Sequence, residues 1–599
     1  MPARVPWFLL GCLSAAVPAC SQPVSSTPQA PPIASGAAPA QSATSRTFLH
    51  QVVAADHELA SLAGAEMLAK GGNAVDAAVA TSFALSVVRP DSCGIGGGGF
   101  MVIHLEHPPG GEKWPIEVCI DFRERCPAGI GPDTFEHLPP GSSERGGYAV
   151  AIPGEVAGLM LALERYGTLD RATVLAPAIR LARAGCAADA HDATTVATME
   201  KYLAARVDKP WPGSESLLRW YGPGRTVGGW MRAPEQAKVF EEIELHGADG
   251  FSKGPVAEAI VRAITAHGGV MTLEDLANYR PKEVLPLRAT LESKGPFAGR
   301  TIVTMPLPSS GGLTLIQIMR LLELRCDLLT GHGVGSAPYI HLLTEASKLA
   351  FADRAAYLGD PAYMPIDPTN AILDVARLRE RATLISGERS LDPAACTNAQ
   401  PLQLGDDHGT SHFSVVDQCG NAVACTETTN LEFGSLVAVP EFGFVLNDQM
   451  DDFLTRRGEP NAFKLTQSER NLPAPGKRPL SSMTPTIVLD ATGKVEMVCG
   501  ASGGPRIISA TTETLLNAML FGMAGQAAVD APRSHDQWMP DLLRLESADE
   551  ATKSELARLG HTLGPMKDAA AVQFIQRMPE DAGWFGASDP RKGGKPAGE

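Results

Sequence analysis

Thr410 follows a glycine and opens an alternating run, Gly409-Thr410-Ser411-His412-Phe413-Ser414-Val415-Val416-Asp417. A threonine hydroxyl serves as a nucleophile when the α-amine of the same residue is free to take its proton. That requires the chain to be cut on the amino side of Thr410, so an abrupt strand start at Gly-Thr, deep inside a long chain, raises self-cleavage between Gly409 and Thr410. Gly-Thr before a strand is also ordinary strand chemistry, because threonine packs well on a pleated surface. The residues after Asp417 favour catalysis. Gln418-Cys419-Gly420 suits a three-residue hairpin loop with glycine at the bulge, and a second run extends from Asn421 to Asn430. With Asp417 facing Asn421, the register sets Thr410 opposite Thr428, whose hydroxyl could orient the nucleophile.

Acyl transfer at Thr410 also needs donors for the developing oxyanion. Gly503 and Gly504 stand just before an apolar helical run from roughly Arg506 to Met523. Their N–H groups could serve there, at the positive end of the helix dipole. The same segment carries a competing signal. Gly500-Ala501-Ser502-Gly503-Gly504 fits a nucleophile elbow between strand and helix, with Asp530 and His535 later in the chain. On that alternative Ser502 is the nucleophile of an esterase-like enzyme.

The elements that must hold these residues are partly legible. His57 to Leu68 and Ala74 to Val88 have helical spacing, and Phe100 to Leu105 reads as a strand. Gly94-Ile95-Gly96-Gly97-Gly98-Gly99 matches the dinucleotide fingerprint, but it follows a helix and precedes a strand. A nucleotide role is therefore rejected in favour of a tight backbone path near a site. Residues 155–400 read as mainly helical, with Thr272-Leu273-Glu274-Asp275 as a helix start. Glu345, Lys348, Asp353 and Arg354 read as a solvated or ion-paired helix face. Strands dominate from Thr410 to about Cys499. Periodicity alone yields α/β or α+β.

The run at Gly409–Asp417 resembles the processing site of the γ-glutamyltransferases, a family of N-terminal-nucleophile hydrolases. The resemblance extends from about residue 47 to the C-terminus. It includes Gly71-Gly72-Asn73-Ala74-Val75-Asp76-Ala77-Ala78, Gly94-Ile95-Gly96-Gly97-Gly98-Gly99-Phe100 and Asp121-Phe122-Arg123-Glu124. Further along it includes Asn447-Asp448-Gln449-Met450-Asp451-Asp452-Phe453, Arg478-Pro479-Leu480-Ser481-Ser482-Met483 and Gly503-Gly504-Pro505-Arg506. It implies an α+β fold, the four-layer αββα sandwich of that superfamily, and a chain that divides into a large part, 47–409, and a small catalytic part, 410–599. It also implies transfer of a γ-glutamyl group, from glutathione or a related donor, to water or to an amino acid or peptide. By motif match, Arg123, Ser481 and Ser482 hold the α-carboxylate of the donor. Asn430, Gln449 and Asp452 hold its ammonium. In bacterial relatives a lid covers this pocket with a tyrosine that reaches the Asn430 position. Here Phe463 stands there without a hydroxyl, in a polar Pro- and Gly-rich segment from Leu454 to Lys477. A cephalosporin or glutaryl acylase of the same superfamily would share Thr410 but need no ammonium acceptors.

Composition narrows the remaining classes. A net charge of −16, with 44% hydrophobic and 20% charged residues, suits a globular chain and argues against a general nucleic-acid binder. Residues 1–20 read as an export leader ending in Val17-Pro18-Ala19-Cys20, with Cys20 as a lipidation site. Residues 21–46, rich in Ser, Pro and Ala, read as a tether to the cell envelope, and the lipid would be the only membrane contact. A non-enzymatic envelope lipoprotein would show neither cleavage nor labelling of Thr410. Of the eleven cysteines two fall in the leader, and Cys425 and Cys499 read as core residues. No cofactor is expected, and His57-Glu58 lacks the second histidine of a zinc motif.

Overall fold

Hydrophobic residues on both faces of the Ser411–Val416 strand demand cover on both sides, and the fold supplies it. Phe413 and Val415 join a core shared with helices, while Val416 and Ala422 join a second core shared with another sheet. The computed structural model describes residues 46–599 apart from 112–114, 206–210, 293–296, 298, 398–408, 460, 463–464 and 466. Cys20 and Phe463 lie outside the described residues, as does most of the expected tether. Arg46, its last residue, begins the Arg46–Phe48 strand.

Two seven-stranded antiparallel sheets form the centre. The first runs in the order Ala597–Gly598, Val52–Ala55, Ser411–Val416, Ala422–Thr428, Gly98–Leu105, Ile116–Asp121 and Lys282–Val284. The second runs Arg46–Phe48, Trp584–Ser588, Ala571–Arg577, Val495–Ser502, Thr486–Leu489, Thr301–Thr304 and Leu287–Thr290. The Ser411–Val416 and Ala422–Thr428 strands pack on Val495–Ser502. Helices Glu58–Ala69 and Ala74–Val88 cover the first sheet, and Arg506–Phe521 covers the second, backed by Gly311–Leu324. This is the αββα sandwich. No helix among the described residues is long and apolar enough to cross a membrane.

Local chemistry explains the element ends. Asn73 accepts from the amides of Val75 and Asp76, and Asp76 returns the bond to the Asn73 amide, a reciprocal cap that starts Ala74–Val88. Thr272 and Asp275 do the same for Leu273–Ala277. Residues 155–400 are largely helical, but three short strands, Lys282–Val284, Leu287–Thr290 and Thr301–Thr304, extend the two sheets. Of the two readings of the charged helix face, the ion-paired one holds, and the two cysteines lie in the core as expected. The charged face of the Ala337–Tyr357 helix is buried rather than solvated: Asp353 meets Arg377 at 2.8 Å, and Lys348 meets Asp541 at 3.3 Å. Arg354 goes elsewhere. Cys425 and Cys499 are buried free thiols.

Between the sheets His412 bonds the Thr426 hydroxyl through Nδ1 at 2.7 Å and the Ser414 hydroxyl through Nε2 at 3.2 Å. Burial pushes its imidazole down to about 3, so it stays neutral. A Cβ on Gly500 would sit 2.3 Å from the ring. Gly500→Ala is therefore expected to lose about 1–3 kcal/mol by overpacking, seen as a lower thermal midpoint. An unchanged midpoint would mean that the sheets separate freely here.

Candidate active site

The hairpin register brings two hydroxyls together. Pairing runs from Val416 opposite Ala422 to Ser411 opposite Glu427, and one more step sets Thr410 opposite Thr428. Their Oγ1 atoms are 3.3 Å apart. Thr428 donates its hydroxyl to the carbonyl oxygen of Gly409 at 2.6 Å and accepts the Asn430 amide at 2.8 Å. With its proton on the Gly409 carbonyl, Thr428 is left to accept from Thr410. The bond between Gly409 and Thr410 thus has a donor on its carbonyl and a hydroxyl alongside. Gly409 has φ +113°, and a Cβ there would lie 2.4 Å from the Asn430 carbonyl oxygen, so only glycine fits.

Thr410 and Thr428 open onto a narrow cavity whose walls carry opposed charges. Arg123, on the loop after Ile116–Asp121, is fully buried and pairs through Nη2 with Asp452. Its Nε and Nη2 donate to the carbonyls of Pro479 and Leu480 at 3.2 and 3.3 Å, which fixes the guanidinium plane. Gln449 donates its amide to Asp452 at 2.6 Å, and Asn430 donates to the Asp448 carbonyl at 3.1 Å. Both side-chain NH₂ groups are thus used within the protein, which leaves carbonyl oxygens as acceptors. The Gln449 Oε1 is buried with no partner among the described residues. Asn430 has a positive φ, +83°, which asparagine tolerates better than most side chains.

Sequence reasoning missed Arg354. It reaches the cavity from the Ala337–Tyr357 helix, where Nε donates to Ser310 Oγ at 2.8 Å and Nη2 to Ser482 Oγ at 3.2 Å. No carboxylate lies within ion-pair distance of it among the described residues. Burial lowers its pKa to about 10, against the pull of the Asp452 charge, so it remains a cation at neutral pH. Only tertiary packing brings it to Ser482, and no spacing in the sequence announces that.

The second sheet delivers the remaining wall. Val495–Ser502 ends at Gly503, φ +132°, and Gly504, φ +50°, and the Arg506–Phe521 helix then begins. Gly504 lines the same cavity as Thr410. A Cβ on Gly503 would lie 2.8 Å from Ala570, so the turn needs glycine for space as well as for φ. The elbow alternative is not assembled. His535 bonds Ser509 at 2.7 Å and Gln537 at 3.0 Å, Asp530 accepts from Gln526, and neither is bonded to Ser502.

The glycine run threads directly behind this site. Cβ atoms on Gly96 and Gly97 would lie 2.0 Å from the Val445 carbonyl and 2.1 Å from that of Thr428. Among the described residues, one set has donor types suited to a metal, His341, Glu345 and His561, within 4.8 Å of one another. Their atoms already have partners: His341 Nδ1 bonds His561 Nε2 at 2.7 Å and its Nε2 bonds the Ser386 carbonyl at 2.6 Å, while Glu345 takes the Leu391 amide.

The gamma-glutamyltranspeptidase family model matches residues 60–599. The glutathione hydrolase proenzyme of Pseudomonas sp. (strain A14) is 37% identical over 564 residues, covering 90% of this chain and 92% of that protein. The glutathione hydrolase proenzyme of Escherichia coli (strain K12) is 37% identical over 545 residues, covering 90% of each. Among solved structures, a cephalosporin acylase from Bacillus halodurans shares the fold, with a TM-score of 0.78 at 24% identity over 94% of this chain and 99% of that one. Taken with the two-sheet architecture, these matches place the chain in the γ-glutamyltranspeptidase family, as an enzyme with the N-terminal-nucleophile hydrolase fold.

Proposed function

We propose that this chain is a self-processing γ-glutamyltransferase and glutathione hydrolase with Thr410 as nucleophile. One observation carries the reading. The Gly409 carbonyl accepts a hydroxyl from Thr428 while the Thr410 hydroxyl stands 3.3 Å from the same oxygen of Thr428, at the edge of a charge-lined cavity.

In processing, the Thr410 oxygen attacks the Gly409 carbonyl carbon and the amide nitrogen leaves with a proton as the Thr410 α-amine. The resulting ester is hydrolysed by water, which ends one fragment at Gly409 and starts the other at Thr410. In turnover that amine takes the hydroxyl proton and the oxygen attacks the γ-carbonyl of the donor. Gly503 and Gly504 offer N–H groups to the oxyanion. The proton passes to the leaving amine, and water or an amino acid or peptide amine then takes the glutamyl group from the ester. Arg123, Arg354, Ser481 and Ser482 face the α-carboxylate of the donor, and Asp452 with the oxygens of Gln449 and Asn430 faces its ammonium. That set of ammonium acceptors is what a glutaryl acylase would not need. Cys20, lipidated after removal of residues 1–19, ties the enzyme to the cell envelope.

Thr410→Ala is expected to remove both chain cleavage and turnover of a γ-glutamyl anilide, and Thr410→Ser to keep a part of each. Ser502→Ala should cleave and retain activity. A denaturing gel and the anilide assay decide, and full activity in Thr410→Ala would end the proposal. Arg123→Ala and Asp452→Ala should cut kcat/KM by roughly 30-fold or more, the effect of stranding one member of a buried charge pair at about 2–5 kcal/mol. Both should still yield two fragments. Glutaryl amides turned over as well as γ-glutamyl ones would favour the acylase instead. Cys20→Ala should leave the membrane fraction, and unchanged fractionation would remove the lipid anchor from the proposal.

A further inference from the structure

We propose that Lys592, from the last ten residues of the chain, is a positioning residue that keeps the Thr410 α-amine unprotonated at neutral pH. The inference rests on Thr410 being the N-terminal nucleophile. It answers a chemical need: an α-amine ordinarily titrates near 7.7–8.0, so at neutral pH most of it would be ammonium and could not take the hydroxyl proton.

Lys592 is buried, and its ammonium donates to the carbonyl oxygen of Thr410 itself. It also lies 3.5 Å from Ser411 Oγ and 3.5 Å from Ser502 Oγ, so one cation touches the nucleophile strand and the strand that leads to Gly503. Asp56 is its counter-ion at 2.9 Å, held in turn by Gln573 at 2.6 Å. The nitrogen and carbonyl oxygen of one residue are roughly 3–3.5 Å apart, which puts the Lys592 charge within about 6 Å of the future amine. A like charge at that range disfavours the ammonium form. The backbone of Lys592 cannot drift, because its carbonyl accepts from Arg89 at 2.9 Å and its amide donates to Asp589 at 3.2 Å.

The other charges around Thr410 are balanced or further removed. Arg89 is paired with Asp189 and Asp192, and Asp91 with His191. Glu432, beside Gly409, is pushed up to about 7 by burial. On the opposite face of the hairpin, Glu427 and Glu155 share the Ser82 hydroxyl, and burial raises both above the usual carboxylate range. On the cavity side Arg123 is matched by Asp452, whereas Arg354, which bonds Ser310 and Ser482 and no carboxylate among the described residues, acts in the same sense as Lys592. Among the described residues, Lys592 is the charged side chain bonded to Thr410.

The test compares the pH dependence of kcat/KM for a γ-glutamyl anilide in the wild type, Lys592→Met, Lys592→Arg and Asp56→Asn. The acid limb of the wild type should fall below the ordinary α-amine range. Lys592→Met should move it up by about one pH unit, Lys592→Arg should restore it, and Asp56→Asn, which removes the opposing charge, should move it down. Opposite shifts in the two partners are not produced by loosened packing. Coincident acid limbs in all four proteins, at whatever rate, would overturn the inference, as would a wild-type limb at or above the ordinary range. Should Lys592→Met fail to mature, titration of the Thr410 amine in ¹⁵N-threonine-labelled wild-type enzyme decides by the same criterion. A Thr410→Ala protein that still turned over anilide would instead remove the N-terminal-nucleophile reading on which the inference stands.

Discussion

Thr410, the proposed nucleophile, takes its place opposite Thr428 from the pairing register of the Ser411–Val416 and Ala422–Thr428 strands. Side chains alternate along a strand, so a slip of one residue would turn Thr410 from the inter-sheet side toward the helices. The register is set at the loop. Asp417 accepts the amides of Cys419 and Asn421 and the side-chain amide of Asn421, which closes the hairpin. The same carboxylate takes the Ala74 amide at 3.0 Å, at the start of the Ala74–Val88 helix. One carboxylate therefore joins the hairpin turn to the helix layer that packs on it, and a register slip would have to break both.

Around that hairpin the charges are buried in opposed pairs: Arg123 with Asp452, Lys592 with Asp56, Arg478 with Asp121, and Arg533 with Asp589. Taking both members of such a pair out of water costs several kcal/mol per ion, and the attraction between them offsets this only when geometry is good and spare donors are used. The gain here is in position rather than stability. Each of these cations also bonds main-chain carbonyls, Arg123 to Pro479 and Leu480, Arg533 to Ala570 and Val529, Arg478 to Arg280, and Lys592 to Thr410. The loops that form the cavity wall are thereby held by groups that cannot leave without stranding a charge.

What could be read in the sequence was what is local. The hairpin register came from one loop, the Ala74–Val88 helix from its alanine-rich spacing and the glycine path from the lack of room a Gly run implies. The two sheets and their order were not legible from periodicity, because strands buried on both faces lose the alternation that marks a half-exposed strand. Arg354 and Lys592 were missed for a related reason. Each is a charged residue in an ordinary polar setting along the chain, on a helix in one case and in a Gly- and Pro-rich tail in the other. Burial, which the sequence does not print, is what makes them consequential. Whether the face bearing Glu345 and Lys348 was solvated or ion-paired stayed open in the sequence for the same cause.

The topology also explains how a cut at Gly409 can leave one enzyme rather than two pieces. Val52–Ala55, from the first part of the chain, lies between Ser411–Val416 and Ala597–Gly598 of the second. Gly98–Leu105 pairs with Ala422–Thr428, and in the other sheet Thr301–Thr304 pairs with Thr486–Leu489. Both sheets are therefore built jointly, and separating the fragments would break ladders in each while exposing both cores. What the proposed cut would release is local. Gly409 would lose its peptide bond to Thr410, while Thr410 would keep its contact to Lys592 and its place opposite Thr428. The freedom gained would thus fall on Gly409, whereas Thr410, the proposed nucleophile, is held by Thr428 on one side and Lys592 on the other.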